Sequence, residues 1–158
     1  MSEDCYACRN NETGEQAPVT EAIHVGDGWR VAHAFNTSLP GWLVLVPLRH
    51  VTAVEELTAA EAAAMGLLIR RCAKALQQTT GCRKSYFMFF AEAEGFSHLH
   101  VHIVPRMDWF GHEQTGPRVF SLLGLSGEQA LAPAEQAAFA SRIRDALTSG
   151  GQMPFPNT

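Results

Sequence analysis

The chain has little charge. Only 18% of its 158 residues are Asp, Glu, Lys or Arg, and twelve basic against sixteen acidic residues leave a formal charge of -4. No general positive field gathers a nucleic acid backbone, so a nucleic acid polymer is not an expected partner; a small anion held by a few local groups remains open. Long apolar runs are missing as well. No window approaches the roughly 18 apolar residues of a spanning helix, which speaks against a membrane protein. The opening MSEDCYACRN lacks the basic start and apolar core of a signal peptide, and a cytoplasmic location is expected. Internal repeats are absent. Cysteines at 5, 8, 72 and 82 form no disulfide framework in a reducing compartment, so the Cys5-x-x-Cys8 pair asks for another use.

What is present is apolar, 46% of the chain. That content at this length supports one hydrophobic core and a single domain. TEAIHV and WRVAHAF flank GDG, and Asp27-Gly28 is a favoured tight-turn dipeptide, so these segments read as a hairpin. GWLVLVPLRH reads as a strand ending near Pro47, which has no ladder donor. LTAAEAAAMGLLIRRCAKALQQ is the strongest helix. Thr58 and Glu61 make a capping box, Leu57, Ala60, Ala64, Leu67, Leu68, Cys72 and Ala75 form one apolar stripe, and Gly81 lies just beyond the end. SYFMFFA reads as a buried strand. Residues 107–131 are irregular, with Trp109, Phe110 and Phe120 as expected anchors. PAEQAAFASRIRDAL opens with Pro133 and spaces Phe139, Ile143 and Leu147 four apart, a second helix against the sheet or a neighbouring subunit. The tail QMPFPNT is expected to fray.

The stretch SHLHVHIVPR places histidine at 98, 100 and 102. In an extended chain these share one face while Leu99, Val101 and Ile103 share the other, so the apolar face joins the core and the imidazoles line a cleft. Three satisfied histidines on a half-exposed sheet face, or three ligands of one metal ion, are alternative readings. Phosphoryl or nucleotidyl transfer suits the alternation best. A neutral imidazole attacks phosphorus and divides one displacement into two, and a protonated neighbour stabilises phosphate oxygens or protonates a leaving group.

HLHVHIV fits the signature of the histidine triad superfamily, and the trailing PR resembles its dinucleoside polyphosphate hydrolase-like members. GWLVLVPLRH followed by VEELT resembles the stretch before that family's first long helix. The resemblance runs from Cys5 to Arg106. It implies an α+β fold with an antiparallel sheet of about five strands per subunit, one long helix and a C-terminal helix. It further implies one domain over residues 1–158, with an N-terminal arm at 1–18 and a C-terminal extension at 107–158, a homodimer, and a small nucleotide as substrate. By the same resemblance His100 is the nucleophile and His102 meets the phosphate and leaving group. Asn36, in AFNTSLPG, lies near a ribose-contacting position, and Gly95 and Ser97 offer phosphate contacts.

Cys5 and Cys8 match one half of a tetrahedral zinc site, which needs two further ligands from the folded body; the alternative is two free cysteines on a mobile arm, with His50 capping a helix or satisfying the sheet edge. In one branch of the superfamily such a pair is completed by the histidine after P-x-R and the first triad histidine, here His50 and His98. Zinc with four protein ligands has no open position and is structural, so the chemistry stays with His100. Cys72 and Cys82 read as small buried hydrophobes.

Three features depart from the family pattern. Trp42, in PGW, replaces its usual histidine; FFAEAEGFSH replaces a phosphate-contacting element; and MDWFGHEQTGPRVFSLLG is long, with Trp109 and His112 available to cover a base and Arg118 to meet a phosphate. The expected activity is that of a nucleotide hydrolase or nucleotidyl transferase acting through a nucleotidyl-histidine on dinucleoside polyphosphates such as diadenosine tetraphosphate. Phosphoramidate or sugar-nucleotide chemistry, a nucleotide-binding regulatory protein with little turnover, and a zinc-stabilised interaction module are the alternatives.

Overall fold

A computed structural model describes residues 5–149; the tail expected to fray lies outside them. Its first element, α1 (Tyr6–Thr13), is short and polar and was not evident from apolar periodicity. The Cys5 side chain caps it by accepting from the Cys8 amide. Next, β1 (His24–Gly26) and β2 (Trp29–His33) form the expected hairpin. Asp27 and Gly28 turn it with φ of 55° and 80°, the paired positive angles that a two-residue turn matching strand twist requires.

Strand β3 (Leu43–Pro47) stops at its proline, and α2 (Ala59–Thr80) follows. Both halves of the capping box are made: the Glu61 amide donates to Thr58 Oγ1 and the Thr58 amide to the Glu61 carboxylate. Such a cap is worth about 1 kcal/mol. Gly81 closes α2 in the left-handed conformation. Strands β4 (Lys84–Met88) and β5 (Val101–Arg106) complete one antiparallel sheet of order β1-β2-β3-β5-β4. Short 3-10 turns cross residues 112–129, and α3 (Pro133–Ser149) packs on α2 and β2. The fold is α+β, five antiparallel strands with one long and one C-terminal helix.

One sheet face carries Trp29, Val31, Leu43, Leu45, Val101 and Ile103 against Leu68, Cys72, Leu76, Ile143 and Leu147 of the helices. The opposite face is divided. A second apolar cluster of Ala34, Leu39, Trp42, Val104, Phe110 and Val119 fills one part, and the remainder is an open cleft.

Several expectations differ from what folds. SYFMFFA is not buried: β4 is the sheet edge, and Phe87 and Phe90 are 62% and 64% exposed. An apolar run marks a strand without saying whether both of its sides are covered. Leu67 and Ala60 point outward from α2, and Leu76 takes the core position one turn beyond Cys72. Trp109 is exposed while its neighbour Phe110 anchors the extension. His98 and His100 lie in an irregular lead-in held by the Leu99 amide on the Val51 carbonyl, so only His102 belongs to the regular strand.

Candidate active site

The alternation read in SHLHVHIVPR holds through the lead-in. Leu99, Val101 and Ile103 are buried in the core, while His98, His100 and His102 line the cleft. The same cavity, of about 450 Å³, is floored by Ala32, Val44 and Val46 of β2 and β3.

His100 is positioned by its own chain. Its Nδ1 is 2.8 Å from the His98 carbonyl and donates to it, which in the neutral ring leaves Nε2 with a free lone pair. His102 stands edge-on to it with ring centroids 4.9 Å apart. The indole N–H of Trp42 donates to His102 Nδ1 over 3.0 Å. Burial first, then the neighbouring His100, pushes the His102 pKa down to about 4, so this ring is neutral at pH 7 and not the protonated neighbour expected from the sequence. Phe120 meets His102 at 5.1 Å and Phe90 at 5.8 Å, giving that end of the cleft an aromatic wall.

At the other end Tyr6, Phe35 and Phe96 form a tilted aromatic trio with centroids 5.4 to 6.0 Å apart. Beneath them Arg30 is fully buried, donating to Asn11 Oδ1 at 2.7 Å and to the Glu21 carboxylate at 2.9 Å. The Tyr6 hydroxyl donates to the other Glu21 oxygen at 3.0 Å, and its own pKa is raised by burial and then by that carboxylate. Tyr6, Phe35, Arg30, Glu21 and Phe90 carried no signal in one sequence, and Trp42 and Phe120 stood out only as a departure from the family pattern and as a loop anchor, because their roles here come from contacts between distant segments.

Asn36 sits on the cleft lining with φ of 53°, its backbone held by the Leu125 amide. Ser97 is exposed and is not among the cavity's lining residues, whereas Gly95, Phe96 and Glu92 are. His112 and Arg118 lie outside the cleft lining, joined by Arg118 Nε donating to the His112 carbonyl at 2.6 Å.

Cys5, Cys8, His50 and His98 meet beside the cleft with all four ligand atoms within 4.8 Å of one another. Cys8 Sγ is 3.2 Å from His50 Nδ1, and both thiols are 3.5 Å from His98 Nδ1. Zinc bonds to sulfur and nitrogen place tetrahedral donors about 3.5 Å apart, so the set fits such an ion. His98 Nε2 donates to the Pro47 carbonyl at 3.0 Å, which leaves Nδ1 bare toward the thiols. Burial lowers the pKa of this imidazole, keeping it in the neutral ligand form. Burial and then Cys5 raise the Cys8 thiol, a cost that a cation between the two sulfurs removes. The group can coordinate a metal ion. Cys72 is buried far from it, with its pKa pushed up to about 12, and serves as core.

Among the described residues no helix is long and apolar enough to cross a membrane. A family profile described as the HIT domain matches residues 19–108. No match was found among curated proteins. Solved structures share the fold. A Zn-bound histidine triad family protein from Mycobacterium smegmatis is 15% identical, covering 93% of this chain and 97% of its own at a TM-score of 0.66. A histidine triad protein from Bradyrhizobium japonicum is 24% identical, covering 80% and 89% at 0.66. A hypothetical histidine triad nucleotide-binding protein from Sulfolobus tokodaii is 11% identical, covering 80% and 83% at 0.61.

Proposed function

The chain belongs to the histidine triad (HIT) family, and from that premise we propose that it is a nucleotide hydrolase or nucleotidyl transferase working through a nucleotidyl-His100 intermediate. The observation that carries this reading is the 2.8 Å hydrogen bond from His100 Nδ1 to the His98 carbonyl. It leaves Nε2 as the attacking atom, and the same carbonyl receives Nδ1–H when the ring becomes cationic on bonding phosphorus.

The nucleoside lies over Ala32, Val44 and Val46 between the aromatic trio and Asn36, which contacts ribose. The α-phosphate then rests over His100, with His102 beside it. Dinucleoside polyphosphates such as diadenosine tetraphosphate are the favoured substrates, on the resemblance of HLHVHIVPR to that group. Water releases the nucleoside monophosphate; another acceptor makes the reaction a transfer. Zinc held by Cys5, Cys8, His50 and His98 is structural, and the likeness to a Zn-bound protein of the family supports that choice of ion. It would fasten α1, and with it Tyr6, to the triad segment.

Glu92 on the cleft lining favours a second reading, a nucleotide-binding protein with little turnover, since a carboxylate there repels phosphate. Rapid quench into alkaline denaturant, which leaves a P–N bond intact, with radiolabelled diadenosine tetraphosphate separates the two. Label on the protein that disappears in His100→Ala supports the covalent route. Saturable binding without label supports the binder.

A further inference from the structure

Trp42 is fully buried, with its indole N–H 3.0 Å from His102 Nδ1. An indole nitrogen donates and never accepts, so His102 must present a lone pair at Nδ1 and carry its proton on Nε2. Either the opposite tautomer or the imidazolium would set N–H against N–H. Phe120 closes the arrangement, edge-on to the indole at 5.5 Å and to the imidazole at 5.1 Å. His102 can therefore offer the cleft one group, Nε2–H on a neutral ring. Such a ring donates a hydrogen bond to a phosphoryl oxygen, but it could give the proton away only by becoming an imidazolate.

We propose that Trp42 is a positioning residue that fixes the His102 tautomer and thereby selects substrates by leaving group. Phosphoanhydrides and aryl or enol phosphate esters, whose leaving oxygen departs as a stable anion, are accepted; phosphoramidates, whose amine must be protonated to leave, are not. The inference rests on the nucleotidyl-transfer reading above. In the first step His100 Nε2 forms a bond to phosphorus while the P–O bond to the leaving group breaks, and that oxygen departs with the electron pair. In the second, water forms a P–O bond as P–N breaks, the pair returns to Nε2, and the water proton passes to solvent. Neither step takes a proton from His102. Other cleft groups do not replace it: Tyr6 and Glu21 are tied to each other and to Arg30, the wall beside His102 is Phe90 and Phe120, and Glu92, exposed on the lining, is a carboxylate with no proton to give. That wall receives a flat leaving group by dispersion and supplies no acid.

Two measurements test this. Nitrogen NMR of the isotopically labelled protein reads the tautomer directly, without a variant: His102 should show a bare Nδ1 and a proton-bearing Nε2, and Trp42→Phe should convert this to a tautomer mixture. A proton on Nδ1 in the unaltered protein overturns the proposal whatever the enzyme turns over. In parallel, the para-nitrophenyl esters of AMP and GMP are compared with the corresponding phosphoramidates. Loss of general acid catalysis is worth about 100-fold or more, so the amidates should react at least that much more slowly. Trp42→His, which supplies a partner able to donate or accept, should narrow the gap about tenfold. Equal rates in the unaltered protein overturn the selection. Absence of nucleotidylated His100 with every substrate overturns the nucleotidyl-transfer reading and the selection with it, while the tautomer measurement still reports on Trp42 separately.

Discussion

The Sγ of Cys8 lies 3.2 Å from Nδ1 of His50, a contact across 42 positions that ties α1 to the exit of β3. The Asn11 amide reinforces the tie by donating to the Pro47 carbonyl at 2.9 Å. Tyr6, one residue past Cys5, thus depends on the cysteine pair for its place in the cleft.

Elemental analysis of the purified protein should give one zinc per chain. Removing it with a chelator, or replacing Cys8 by Ser, leaves a crowded set of unbridged donors and frees α1. A loss of about 3 kcal/mol lowers Tm by roughly 6–12 °C for a domain of this size. Differential scanning calorimetry with and without chelator checks it; an unchanged Tm and no bound metal would remove the metal site.

Acid should destabilise the fold through its neutral histidines. Folded His102 titrates at about 4, against about 6.5 in an unfolded chain, so the unfolded state binds protons first as pH falls. Stability from this group is complete above about pH 6.5 and declines toward pH 4. Between pH 7.5 and 5 the loss is about 2 kcal/mol. His33 adds in the same direction: burial lowers its pKa, and both ring nitrogens are engaged, Nδ1 with the Ala34 carbonyl and Nε2 with the Gly41 amide. Urea midpoints at the two pH values should fall more steeply for the unaltered protein than for His102→Asn, a comparison in which acid release of the metal is common to both.

Local chemistry made much of this architecture legible in advance. Asp27-Gly28, Pro47, the Thr58 and Glu61 pair and the alternating histidines each act within a few residues, and each does in the fold what its neighbours imply. The four donors 5, 8, 50 and 98 also come together, though that set came from family resemblance and not from spacing. What stayed hidden depends on distant partners. Helix α1 has no apolar stripe and is held by its cap and by contacts to β3. Leu67 and Leu76 are equally apolar, and only the position of α3 and the sheet decides which is buried. Trp42 reads in the sequence as a replacement for the family's usual histidine, and the hydrogen bond that gives it chemical meaning of its own reaches 60 positions along the chain.

Two glycines should respond differently to the same substitution. Gly41 has φ of 85°, and a Cβ there would lie 2.9 Å from Leu76 Cδ2 and 3.3 Å from Thr80 Cγ2. Gly81 has φ of 68°, with open space around its added carbon. Gly81→Ala therefore carries only the left-handed backbone cost of about 1 kcal/mol, whereas Gly41→Ala adds overpacking and should cost about 3 kcal/mol. Gly41 also supplies the amide that holds His33, so its variant should show the larger loss in denaturant midpoint; equal losses would mean that the core yields around position 41.

The β4 edge should carry a second copy of the chain. Among the described residues β4 pairs only with β5, which leaves the backbone groups of its outer side open, and Phe87 and Phe89 stand 62% and 42% exposed beside them. Such an edge invites strand addition unless charge or a covering segment prevents it. Lys84 is the only charged residue in the strand. Antiparallel pairing of β4 with its counterpart would extend the sheet across two subunits and bury Phe87 from both. Each buried Phe contributes about 2 kcal/mol, so Phe87→Lys removes about 4 kcal/mol from a symmetric pair and weakens association roughly 1000-fold. Sedimentation equilibrium over a range of concentrations should give a dimer for the unaltered chain and a monomer for Phe87→Lys. A monomer in both would mean that the edge stays open, and an unaffected dimer would place the contact on another surface.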